Sequence, residues 1–401
     1  MSRTDRNWVV VLGAGPSQVP YLRQLKEWGY KIFATDRNPD APGFLLADRI
    51  AVISTYDSEG TWNEVKSRLE LSSVSSVITP TTGEPLRTAQ NLARKIGLPS
   101  LDEESVEDLL HKGRLRARLN KTASRPLQWG AGSTLEELQR VAKVVGFPAI
   151  VKPARGGMGG RGVSRIDGSV EIEPAFFTAR STGLSSEVVI EQFIEGQELS
   201  VTGLLYKGEL KFFVVGLSIF DLNTLSLPVG EVIGPDVLPA PVERDVRQAA
   251  LAACRAFGLE TCPLNIDIIF DADRVPHIIE IEFALSDALL LAPIACGYDL
   301  RLNELRVDMH LEPETQGLFD YCSAIRFFAH RAPKAKQVDG VDRALSLPNV
   351  VELQVDEQAR VTYHQAGREV YMWGHVVTRG PNPQKAVALT EKVKKTLHFT
   401  Y

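Results

Sequence analysis

Apolar residues in the first hundred positions gather into short runs, and segments with helical spacing separate those runs. WVVVLGAG (8–15) reads as an apolar strand ending in a glycine turn. PYLRQLKEWGY follows, with Leu22, Leu25 and Trp28 at helical spacing and Gly29 where a helix stop belongs. KIFATDRNP forms a second strand ending at Asp36, and RIAVIST, VSSVITPTT and the helix PLRTAQNLARKIGLP continue the pattern. Strands separated by helical crossovers predict a parallel, doubly wound α/β sheet.

The pattern then changes. HKGRLRARLNKTASRPLQWGAGS leads into the amphipathic helix TLEELQRVAKVVGFP, the strand AIVKPA and the glycine-dense RGGMGGRGVSRI. EVVIEQFIEGQELSVTGLLYKGELKFFVVGLS alternates apolar and polar residues, which predicts an antiparallel region with turns at Glu195-Gly196 and Lys207-Gly208. A helix (RDVRQAALAACRAFGLE) and two further strands (PLNIDIIFDADRVPHIIEIEFA) follow. From about Leu311 short strands and turns dominate, until the helix PQKAVALTEKVKKTLHF. There is no repeat, low-complexity tract or flexible linker, so the domains are expected to pack on one another.

At 401 residues the chain has room for two or three domains. A net charge of −5 offers no long-range attraction to nucleic acid or an anionic membrane, so a phosphate-bearing partner must be captured by a local site. The first apolar run is too short for a secretory leader, and no stretch approaches the ~18 apolar residues of a membrane span. Cys254, Cys262, Cys296 and Cys322 form no CxxC pair, which points to free thiols in a reducing cytoplasm and away from zinc. The histidines form no HxH or HxxxH pair, and no GxSxG elbow is present.

Three segments carry candidate chemistry. In VKPARGGMGGRGVS (151–164), Gly156, Gly157, Gly159, Gly160 and Gly162 strip side chains from a loop, so backbone N–H groups can approach an anion. Arg155 and Arg161 add charge, and Lys152 can aim its ammonium at a phosphate. Taken alone, the loop is equally a surface hairpin. In EVVIEQFIEGQELSV, Glu191 ends a strand, Gln192-Phe193-Ile194 links, and Glu198 starts the next strand. That arrangement suits an adenine edge and ribose hydroxyls, although taken alone it reads first as a charged surface hairpin. In LNIDIIFD and HIIEIEFA, Glu280 and Glu282 share one strand face and Asp267 lies on the neighbouring strand. Such carboxylates suit Mg²⁺ bridging phosphates, or form a solvated acidic edge.

Their order along the chain resembles the ATP-grasp superfamily, in the subgroup of biotin carboxylase, the purine-pathway carboxylate ligases and the L-amino-acid ligases. The resemblance implies a Rossmann-like domain over residues 1–105, an ATP-grasp domain over 106–305 with a small lobe at about 120–190, and a mostly β C-terminal domain over 306–401. It implies ATP and Mg²⁺ as cofactors. Lys112 and Lys152 would be the two phosphate-binding lysines, residues 156–162 the mobile loop with Arg161, Glu191 and the Phe193 backbone the adenine contacts, and Glu198 the ribose contact. Asp267, Glu280 and Glu282 would hold metal, with Lys152 and Arg161 as the catalytic cations. Glu84, Ser286, Asp287 and Arg301 are candidate substrate contacts.

The family commonly carries E-x-N-x-R on the last strand, whereas this chain has Glu282 at the Asn position and Ala284 at the Arg position. Either a cation arrives from elsewhere, with Arg301, Arg306 and Arg326 as candidates, or the acceptor pocket is rebuilt. His111 replaces the usual Asp before the first lysine. GAGPSQVP (13–20) lacks GxGxxG, which weakens an NAD reading of Asp36. The function implied is a carboxylate–amine ligase working through an acyl phosphate, with an amino acid as one substrate and a homodimer as assembly. The alternatives are a carboxylase or formyl-type enzyme of purine-like metabolism, and an ATP-binding protein with altered catalysis. Partners are small-molecule acids and amines, with no nucleic acid and no membrane.

Overall fold

The structure is a computed structural model that describes residues 7–220, 228–285, 288–315, 317, 319–330, 337–356, 361–365 and 368–400. The N-terminal part comprises β1 (Trp8–Leu12), α1 (Val19–Glu27), β2 (Lys31–Asp36), β3 (Arg49–Val52), α2 (Ser58–Arg68), β4 (Val74–Ile78) and α3 (Pro85–Ile96). Its strands run parallel in the order β3-β2-β1-β4, as the alternation predicts. Residues Val9, Val10, Val11 and Leu12 of the central strand are wholly buried, because helices cover both faces. Val9 and Val11 meet Leu22 and Leu25 of α1, while Val10 and Leu12 meet Val65 of α2 and Leu92 of α3. The sequence did not announce α2, since it buries only Thr61 and Val65 and has almost no apolar stripe.

Two short helices, α4 (Glu103–Leu110) and α5 (Lys112–Asn120), lead to the small lobe. That lobe contains β5 (Trp129–Gly132), α6 (Leu135–Val145), β6 (Ala149–Pro153), β7 (Ser164–Ile166), α7 (Ile172–Thr182) and β8 (Val188–Gln192). Its strands form an antiparallel sheet in the order β5-β8-β6-β7. Thr134 and Glu137 start α6 with a reciprocal capping box, which secures the helix backing this sheet.

The large sheet begins with β9 (Gly196–Tyr206), β10 (Glu209–Phe220) and β11 (Pro228–Ile233). After α8 (Ala240–Ala256) come β12 (Cys262–Asp271), β13 (Pro276–Glu282), α9 (Ala288–Cys296) and α10 (Leu300–Asp308). The remainder is β14 (Cys322–His330), β15 (Gln337–Asp339), α11 (Val341–Leu345), β16 (Val350–Val355), β17 (Val361–Gln365), β18 (Arg368–Gly380), α12 (Pro383–Thr396) and β19 (His398–Thr400). Strand order is β13-β12-β9-β10-β11-β14-β18-β16, with β17 on β18, so one sheet runs from the acidic strands into the C-terminal segment. Residues from α8 cover one face and residues from α9 and α10 the other.

Of the two turns predicted, Lys207-Gly208 joins β9 to β10 with φ of 51° and 79°, the double positive φ that a tight hairpin of this twist requires. Glu195-Gly196 is different. β8 pairs with β5 and β6, whereas β9 pairs with β10 and β12, so this link carries the chain between lobes and is no hairpin. A Cβ on Gly196 would lie 2.3 Å from the Phe270 carbonyl oxygen, which explains the glycine at the crossing. No helix among the described residues is long and apolar enough to cross a membrane.

Candidate active site

Lys112, Gly156, Gly157, Arg161, Glu280 and Glu282 line a cleft of about 420 Å³, with Tyr56, Thr82 and Glu84 of the N-terminal part on its far wall. Lys112 is the first residue of α5, and its amide donates to the Ala154 carbonyl at 2.8 Å. Its ammonium donates to Glu280 Oε1 at 2.8 Å and to the Gly156 carbonyl at 3.1 Å. One cation thus joins the helix, the glycine loop and the acidic strand. Burial alone would depress the Lys112 pKa, but Glu280, Glu282 and Glu191 outweigh it and hold the group above its ordinary value.

One turn along the same helix face, at i+4, stands Arg116. Its Nε reaches Glu191 Oε1 at 3.3 Å, while Lys152 Nζ holds Glu191 Oε2 at 2.8 Å. Glu191 stands opposite Ile150, one pleat from Lys152, so both side chains share a face of the small-lobe sheet. All three are at most 5% exposed. Burial raises the Glu191 pKa, but the two cations win and leave it below the usual carboxylate range. The acid expected at the adenine edge is therefore already charge-balanced inside the small lobe.

The glycine loop explains its own composition. Gly156, Gly157, Gly159, Gly160 and Gly162 all have φ between 67° and 78°, a region that L side chains rarely enter. A Cβ on Gly162 would fall 1.9 Å from Thr182 Oγ1. Gly162→Ala should therefore lower stability by about 1–3 kcal/mol, read as a shift in the urea midpoint. Arg161 is exposed at the cleft, as a phosphate contact needs. Arg155 is not: it turns to the N-terminal part, where it pairs with Glu107 and, at 3.3 Å, with Glu84. Arg87 binds the same two acids at 2.7 and 3.1 Å, so the Glu84 carboxylate sits in a closed ion-pair network on the cleft wall.

At the lobe crossing, the Phe193 amide donates to the Pro148 carbonyl at 3.1 Å, and the Arg165 guanidinium lies 4.2 Å from the Phe193 ring centroid. A purine could use that amide only by displacing Pro148. Glu198 is half-buried on β9, and burial raises its pKa.

Register places Glu198 and Ser200 of β9, Asn265 and Asp267 of β12, and Glu280 and Glu282 of β13 on one face. Burial first, then repulsion from Glu280, Glu198, Glu282 and Glu231, drives Asp267 well above the carboxylate range, and burial with Glu280 pushes Glu282 up to about 7. Asn265 faces Glu282 across the strand pair, and its buried Oδ1 has no hydrogen-bond partner among the described residues. This oxygen-rich face, which Lys112 meets at Glu280, fits a hard divalent cation. Among the described residues, however, no three acid, histidine or cysteine side chains converge closely enough to hold a metal by themselves. The trio Asp267, Glu280 and Glu282 is thus an open arrangement, suited to a Mg²⁺ ion that keeps waters and phosphate oxygens in its sphere.

Ser286 and Asp287 lie outside the described residues. Arg301 does not line the cleft; it lies against the Tyr21 ring at 5.9 Å, and its buried Nε has no hydrogen-bond partner among the described residues. Arg306 donates to the Glu312 carbonyl at 2.8 Å, and Arg326 is buried against Glu391 of α12 at 2.6 Å. None of these three lines the cleft in place of the arginine missing at Ala284. Asp36 closes the first glycine turn by accepting from the Ala14 and Asn38 amides at 2.9 Å each, so it is a structural staple.

A family model described as D-ala D-ala ligase C-terminus matches residues 127–281, the small lobe through β13. The L-amino acid ligase from Bacillus licheniformis superposes with a TM-score of 0.80 over 99% of each chain, at 18% identity. The chain has the ATP-grasp fold. The biotin carboxylase domain dimer of Hydrogenobacter thermophilus 2-oxoglutarate carboxylase, in complex with MgADP, ADP and bicarbonate, matches this ATP-grasp chain with a TM-score of 0.69 at 16% identity, over 98% of this chain and 90% of that one. The carbamoyl phosphate synthase large chain of Pasteurella multocida is 25% identical over 349 residues, 77% of this chain and 32% of its own length. The ATP-grasp chain therefore spans about a third of that relative.

Sequence reasoning missed Arg116, Asn265 and Glu231 beside this cleft. Two of them left a signal: Arg116 lies four residues after Lys112 on a helix, and Asn265 lies two before Asp267 on a strand. Glu231 left none, because its approach to Ser200 over Gly216 depends on strand order.

Proposed function

We propose that this ATP-grasp chain is an ATP-dependent ligase that activates a carboxylate as an acyl phosphate and passes the acyl group to an amine. The observation carrying this reading is Lys112, whose single ammonium bonds both the glycine loop and Glu280 at the mouth of one cleft. A cation so placed can neutralise charge on a transferring phosphoryl group while fixing the loop that covers it. Arg161 and the loop amides would add to that neutralisation, and Glu198 would meet ribose; Lys152 and Glu191 would reach phosphate and adenine only once their mutual ion pair opens, and the Phe193 amide would reach adenine only on leaving Pro148. Asp267, Glu280 and Glu282, joined by Asn265, would hold Mg²⁺, which supplies charge neutralisation at the phosphates. Closure of residues 156–162 would keep water from the acyl phosphate. In the first step a substrate carboxylate oxygen bonds to the γ-phosphorus and the bond to ADP breaks. In the second, an amine nitrogen bonds to the acyl carbon, and phosphate and a proton leave. The resemblance to L-amino-acid ligases suggests an amino acid as one substrate.

Hydroxylamine tests the first step, since it converts an acyl phosphate to a stable hydroxamate. With Mg·ATP and pooled amino and carboxylic acids, the protein should yield a hydroxamate identifiable by mass, absent when ATP is withheld. ADP release with no hydroxamate from any acid would remove the acyl phosphate. The second reading, ATP binding without turnover, draws on Ala284 and on the diversion of Arg306 and Arg326 to other partners. It expects saturable Mg·ATP binding and no ADP.

A further inference from the structure

Behind the acceptor end of the cleft lies a second cavity of about 210 Å³. It forms where β4, the turn before β12 and the C-terminal end of α10 meet. Leu86 and Phe283 line both spaces, so these two apolar side chains stand between this cavity and the cleft that holds Lys112 and Glu280. Ser76, Ser100 and Thr261 add hydroxyl-bearing side chains to its lining.

Asp308 supplies its acid. It is the last residue of α10, the end at which a helix dipole is negative, and Glu304 lies one turn earlier. Among the described residues the Asp308 carboxylate makes no hydrogen bond and no ion pair, although its backbone carbonyl accepts from Ser76 Oγ at 3.0 Å. Burial and the neighbouring Glu304 hold Asp308 well above the carboxylate range, the state of an acid that lacks a cation. Among the described residues no lysine or arginine lines the cavity, and burial pushes the His310 imidazole down, toward its neutral form. The wall is therefore complementary to an ammonium group. A free amino acid would also bring a carboxylate, and no cation in the lining would meet it.

We propose that this cavity binds a compact primary amine lacking a carboxylate, as its ammonium form, against Asp308. The binding stands on the cavity; its purpose as a holding site for the amine that attacks the acyl group rests on the ligase reading. Rotation of Phe283 would connect the two compartments.

The test is calorimetric titration of the full chain, without ATP, using ethylammonium chloride. Ethanol, alanine and sodium chloride at equal ionic strength serve as controls. Saturable binding of ethylammonium alone is expected, weakened at least tenfold in Asp308→Asn and blocked in Ser100→Trp, which fills the cavity from an exposed position. Asp308→Asn replaces a buried acid with a neutral amide of the same shape and should keep or raise the thermal midpoint, so lost binding cannot be ascribed to misfolding. Equal ethylammonium affinity in Asp308→Asn, or heat matched by sodium chloride or alanine, overturns the proposal. The titration contains no nucleotide, so the ligase reading can fail in the hydroxamate assay while amine binding persists, and the reverse.

Discussion

Lys112→Met is expected to lower nucleotide turnover by at least about a hundredfold, the scale of losing one preorganised charged donor at a developing negative charge. The substitution keeps the length and much of the apolar stem of the side chain and removes only the ammonium. Among the described residues that ammonium is bonded both to the glycine loop and to the acidic strand, so its loss releases Gly156 and leaves Glu280 facing Asp267 with only the attraction of Lys152 to offset the repulsion. Glu280 is about a third exposed, and protonation can relieve its repulsion, so folding should survive. ADP release measured beside the urea midpoint separates the two effects. A variant that unfolds at the same urea concentration and retains wild-type turnover would remove Lys112 from the chemistry.

Glu191→Leu should have the largest effect on stability, about 3–5 kcal/mol, because it strands Lys152 and Arg116 in the small lobe without their shared carboxylate. With all three side chains at most 5% exposed, neither cation can recover hydration without opening the lobe. Combining Glu191→Leu with Lys152→Met and Arg116→Met should restore much of the loss, since the penalty comes from unpaired charge more than from missing attraction. Urea unfolding followed by circular dichroism reads both. A loss below about 1 kcal/mol in Glu191→Leu would mean that the triad is hydrated and weak.

Local patterning carried most of the fold into view. The unbroken apolar run of β1 marks a strand covered on both faces, and the five glycines mark a loop whose backbone has positive φ at each of them. Periodicity of two put Glu280 and Glu282 on one face before their register was known. Features that depend on distant pairing stayed hidden. Nothing within EVVIEQFIEGQELSV tells that its halves belong to different sheets, because that choice is made by β6 and β12. Arg155 reads as a phosphate contact beside the glycines, but Glu107 and Glu84, acids of the preceding helical region, claim it. Helix α2 escaped notice because a helix that buries two residues writes little pattern. Asn265 became visible only once Glu282 stood opposite it.

Coupled ADP release by wild type and Glu280→Gln tests the central claim most directly. Purified protein receives Mg·ATP with the acid pool alone, the amine pool alone, and both together. The account predicts sustained ADP release only when acid and amine are both present, and its loss in Glu280→Gln with an unchanged unfolding midpoint. ADP release that is indifferent to the amine, or undiminished in Glu280→Gln, would contradict it.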